Sequence, residues 1–162
     1  MNWHNQKGSL LIEVLLSISL AAVFSLAIGN LIGVNHQLVI ASKQEVEATA
    51  YAKESMEQLF AIKQSDWNLI SVLSEGFYQI QENGNTFEIL PSDPANPAQE
   101  LNGKYYRTIH ISKAYRDAAG NLSASGTEDN QARRLDVKVE WQERDNMRDI
   151  SFASYITNWL GQ

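Results

Sequence analysis

Apolar residues fill the first quarter of the chain almost without interruption, and then the rhythm changes. Between Ser9 and Ser42, Glu13 is the only charged residue, set among Leu, Ile, Val, Ala and Phe. About 20 apolar residues span a bilayer as a helix, and Leu10 to Ile32 supplies them. Beyond Ser42 the composition turns to Lys, Glu, Gln and Ala. Ala48, Ala52, Met56, Leu59 and Phe60 fall on one helical stripe, with Glu45, Glu47, Lys53, Glu54 and Glu57 largely elsewhere. Helix signals fade over Lys63-Gln64-Ser65-Asp66-Trp67. The pattern predicts one helix from about Ser9 to Ile62, well beyond ordinary globular length.

From Gly76 the period shortens to two. Gly76 to Gln81 and Thr86 to Leu90 flank Glu82-Asn83-Gly84-Asn85, where Asn-Gly marks a hairpin turn. A loop from Pro91 to Pro97 holds all three prolines. Lys104 to Tyr115 alternates, with Tyr105, Arg107, Ile109 and Ile111 on one face and Tyr106, Thr108, His110 and Ser112 on the other. Arg116 to Gln131 reads as a polar loop with two glycines. Arg134 to Gln142 puts Leu135, Val137, Val139 and Trp141 on one face, and Met147 to Thr157 pairs with it across Glu143-Arg144-Asp145-Asn146. The fold class this implies is α+β, an antiparallel sheet packed on the second half of the helix.

Composition narrows the function. A net charge of −6 argues against a phosphate-binding surface, so no direct nucleic-acid binding is expected. The chain has no cysteine, which removes disulfides, thiolate metal sites and cysteine nucleophiles. No P-loop, GxSxG or HExxH occurs. His110 and Ser112 share a strand face, with no acidic partner at a revealing spacing. The chain is therefore read as a non-enzyme without a cofactor. Trp67, Trp141 and Trp159 are read as packing residues.

Three readings of the apolar segment compete. A secretory signal has a basic start and an apolar core of about 7–15 residues; here only Lys7 and His4 precede a longer core. A plain anchor explains the length, yet leaves Glu13 as a cost near the membrane edge. The third reading uses both features. Lys7-Gly8-Ser9-Leu10-Leu11-Ile12-Glu13-Val14 resembles the processing site of type IV prepilins and of type II secretion pseudopilins. The resemblance implies that prepilin peptidase cuts after Gly8, leaving residues 1–8 as leader and Ser9 as a new terminus open to N-methylation. Glu13 becomes the fifth mature residue, with Leu11 and Ile12 matching the family's Leu-Ile before it. Ser9 stands where Phe is usual, and Leu10 where Thr is usual. The hairpin ending Ser154-Tyr155-Ile156-Thr157-Asn158-Trp159 is similar to the tail of minor pilins.

Division of the chain follows: a leader (1–8), a membrane and assembly half of the helix (9–42), and a pilin-like head (43–162). The resemblance implies a minor pilin or pseudopilin, made as a single-pass precursor in the cytoplasmic (inner) membrane with its head outside the cytoplasm. Its partners would be other pilins, the peptidase and an inner-membrane assembly platform. Glu13 would pair in the filament with the ammonium of a neighbour's terminus, fixing stagger more than strength. Gly29 and Gly33 have small-xxx-small spacing, which suits close helix packing or local melting, since each costs about 1 kcal/mol of helix propensity. His36 reads as an interfacial residue. Asp117, Asn121, Glu128 and Asp129 are the oxygen-rich residues open to calcium, although their spacing matches no EF-hand and such loops are commonly just solvated. The rival from another class is a single-pass anchored binding domain that does not polymerise.

Overall fold

The computed structural model describes residues 5–84, 86–123 and 125–158, with side chains from residue 10 onward. The chain divides into two units, Met1–Lys43 and Gln44–Gln162. Helix α1 (Asn5–Ser65) runs through 61 residues; its first part makes up the N-terminal unit and its remainder belongs to the head. In the N-terminal unit the apolar side chains stay exposed, from Leu10 at 60% to Val39 at 65%. One stretch of α1 is long and apolar enough to cross a membrane, with a mean hydropathy of 2.4.

In the head, α1 buries Ala48, Ala52, Ser55, Leu59 and Ile62, steps of four and three that keep one face inward. This corrects the predicted stripe. Phe60 is 37% exposed and Met56 lies at the margin, whereas Ser55 is fully buried. A serine fits there because its Oγ donates to the Tyr51 carbonyl at 2.7 Å. The helix ends at Ser65, three residues past the predicted end. A single turn, α2 (Asn68–Ser71), follows and buries Ile70.

The strands are β1 (Gly76–Asn83), β2 (Thr86–Pro91), β3 (Gln99–Leu101), β4 (Tyr105–Arg116), β5 (Leu122–Ser123), β6 (Thr127–Glu143) and β7 (Asn146–Thr157). They form one antiparallel sheet in the order β2-β1-β4-β6-β7, with β3 and β5 also pairing with β4. Its inner face carries Tyr78, Ile80, Tyr105, Ile109, Ile111, Leu135, Val137, Val139, Trp141 and Ile156 against the helix. The α+β layout expected from the sequence is thus present: a long apolar N-terminal helix, then an antiparallel sheet.

The expected loop over 116–131 is shorter than predicted, since Leu122–Ser123 pair with β4 and β6 already begins at Thr127. β4 and β6 keep pairing past a register shift between Lys113 and Ala114, and Thr127, Glu128 and Asp129 lie opposite Arg116, Tyr115 and Ala114. Polar composition hid this strand end, because its side chains pair with each other rather than with a core. Gly126 makes the return possible: its φ is 139°, and a Cβ there would lie 2.1 Å from the Arg116 carbonyl oxygen. Trp67 and Trp141 are buried as expected; Trp159 lies outside the described residues.

Candidate functional site

Gly8 and Ser9 lie within the first turns of α1, and Glu13 follows one turn later on the same helix. Three hydroxyls in this apolar half bond back to their own helix: Ser17 to the Glu13 carbonyl, Ser19 to Leu15 and Ser25 to Ala21, each at 2.8 Å. Their polarity is thereby satisfied without a neighbour. Glu13 differs. A carboxylate only accepts, and an α-helix has no free backbone donor past its first turn. Among the described residues, no cation pairs with it. At 100° per residue, Glu13 and the pair Gly29 and Gly33 fall on opposite sides of the helix. A Cβ added at either glycine meets nothing within 4 Å among the described residues, and α1 runs through both unbroken.

In the head, the structure does not gather the calcium candidates into a site. Asp117 folds back on its own turn, its Oδ1 accepting the amides of Asn121 at 2.8 Å and Ala119 at 2.9 Å. The Asn121 amide is the main reason its carboxyl lies below the usual range. The Asp129 carboxylate receives Arg116 Nε at 2.7 Å, and that of Glu128 receives Lys113 Nζ at 2.8 Å. Two of the three carboxylates are thus neutralised by their own cations, and among the described residues no cluster of three His, Cys, Asp or Glu is placed to hold a metal.

His110 lies on the outer face of the sheet, opposite Phe77 on one side and Asp136 on the other. Its ring sits 5.0 Å from that of Phe77, while Asp136 is held by Arg134 at 2.8 Å and 2.9 Å. His110 and Ser112 make no hydrogen bond to each other among the described residues. Around them, Phe77, Thr108, Arg134, Lys138 and Ser151 line an open groove of about 550 Å³.

The least expected chemistry lies between helix and sheet. Arg107 is 5% exposed, and among the described residues no carboxylate bonds its guanidinium. It donates to Ser55 Oγ at 2.9 Å, to the Ile80 carbonyl at 3.4 Å and to Gln99 Oε1, while its Nε is buried without an acceptor. Desolvation lowers its pKa, and the charge of Glu54 partly offsets this. Nearby, Tyr105 donates to Glu47 Oε2 at 2.6 Å. Burial first, then Glu47, pushes the phenol well above the ordinary tyrosine range. Strand alternation placed both residues on the inner face; their partners on α1, 52 and 58 positions away, left no local signal.

The chain matches no family model, no curated protein and no solved structure.

Proposed function

We propose that the chain is a pilin-like structural subunit of the minor pilin or pseudopilin kind. It would be processed after Gly8 and drawn from the membrane into a type IV pilus or secretion pseudopilus that it primes or caps. The observation that carries this reading is the carboxylate of Glu13, five positions after Gly8, in a helix half where the hydroxyls of Ser17, Ser19 and Ser25 bond back to their own helix. Cleavage would create a positive amino group at Ser9, and a neighbouring subunit's terminus would be the cation that Glu13 lacks among the described residues. A helix leading into an antiparallel head supports the same reading. Such a pair adds little net stability but penalises wrong registers, because an unpaired buried charge is costly. The partners are other subunits of this kind, the peptidase and a membrane platform.

The deciding experiment is the mass of the mature chain after coexpression with a prepilin peptidase. A chain starting at Ser9 is expected. An intact Met1 would instead favour an anchored binding domain, for which the outer-face groove is the supporting observation. At the next step, Glu13→Ala and Glu13→Gln are both expected to lose incorporation into filaments while keeping head stability. Incorporation at the parental level would remove the pairing role.

A further inference from the structure

The two edges of the sheet are built differently. β2 is six residues long, carries Glu88 and ends in Pro91, devices that discourage strand addition. β7 is twice as long and is paired to β6 along its whole length. Among the described residues no segment pairs with its other side. It contains no proline, glycine or lysine; its only charges are Arg148 and Asp149, and Ile150 to Thr157 has none. Its inner row is also incompletely covered: Ile150 and Phe152 are half-buried, whereas Leu135, Val137 and Val139 on β6 are at most 1% exposed. The outer row offers small, exposed Ser151 and Ala153.

We propose that β7 pairs with β7 of a second copy of this chain, antiparallel across a two-fold axis at Ser151. The faces restrict the register, because a shift of one residue sets inner side chains against outer ones. Centring on Ser151 satisfies this over Asn146 to Ile156. Ile150 of each copy then faces Phe152 of the other, a favourable aromatic–β-branched pair. Met147 faces Tyr155, Arg148 faces Ser154 and Asp149 faces Ala153, so no like charges oppose. The pairing extends the β6–β7 ladder across the axis and covers the half-exposed Ile150 and Phe152. It is also closed: the β7 edges of the two copies are used by each other and the β2 edges discourage strand addition, so it makes a dimer and does not propagate. The pair stands apart from processing at Gly8, and either can fail without the other.

A chain without cysteines allows a direct test on the full protein in detergent. Opposed Cα atoms in antiparallel strands lie roughly 4.5–5.5 Å apart, within the roughly 4.4–6.8 Å span of disulfides. Ser151→Cys, at an exposed site, is expected under copper–phenanthroline oxidation to shift on non-reducing gels to twice the chain mass, while Glu88→Cys on β2 remains monomeric. Adding Ala153→Asp, which opposes Asp149 of the partner, is expected to abolish the shift; adding Ala153→Lys is expected to preserve it. A Ser151→Cys chain that dimerises no more than Glu88→Cys overturns the proposal, as does preferential cross-linking between Ser151→Cys and Glu88→Cys chains. Equal dimer yields from the two Ala153 variants would overturn the register.

Discussion

Arg107 is the residue on which the head's polar chemistry turns. A buried guanidinium without a carboxylate depends on its neutral acceptors. Ser55→Ala removes one and is expected to cost about 1–3 kcal/mol. Arg107→Met fills similar volume with no charge to desolvate, so stability should hold or rise. Urea denaturation of the two variants checks this, and a loss above about 3 kcal/mol for Arg107→Met would show that the charge itself stabilises the fold. Tyr105 makes a pH prediction. Its folded pKa lies above the unfolded value of about 10, so the folded state keeps a proton that the unfolded chain releases. The stabilisation is complete below about pH 10 and declines as pH rises beyond it. Tyr105→Phe should therefore show a shallower alkaline loss of stability than the parent. Alternation along Tyr105, Arg107 and Ile109 made the inward direction of these side chains legible. What received them was not, because hydrogen bonds across more than fifty residues leave no periodic trace.

The long helix and its sheet follow from periodicity, and the departures have local causes. Predicted and observed helix faces share Ala48, Ala52 and Leu59 and differ beyond them because Phe60 is apolar but turned outward, while Ser55 is polar and buried against its own backbone. The contrast is measurable: Leu59→Ala should cost about 2–5 kcal/mol, and Phe60→Ala well under that in the same thermal or urea assay. The return between β4 and β6 escaped a hydrophobicity reading since Lys113–Glu128 and Arg116–Asp129 are cross-strand ion pairs with no apolar pattern. Gly126 is the residue that closes it. Gly126→Ala must move a backbone carbonyl as well as adopt a disfavoured φ, whereas Gly120→Ala, with open space around its Cβ position, bears only the strain of its positive φ. The former is expected to lower the melting temperature more.

For the molecule as a whole, a helix that leaves eighteen large apolar side chains exposed between Leu10 and Ile40 should hold the chain in membranes through an alkaline carbonate wash, a prediction that fractionation checks. Gly29→Ala and Gly33→Ala should leave head unfolding unchanged, since a Cβ at either position meets nothing within 4 Å among the described residues, and any effect should appear only in assembly. The long apolar helix was legible from composition alone; the role proposed for its single carboxylate rests on Gly8 five positions before it. The serines at 17, 19 and 25 add a mechanical consequence. Each hydroxyl carries its acceptor with it, so exchanging lipid neighbours for protein neighbours breaks none of these bonds. At these three positions the helix can turn or slide against whatever surrounds it without a polar catch, and under the proposed pairing it is the carboxylate of Glu13 that would supply one.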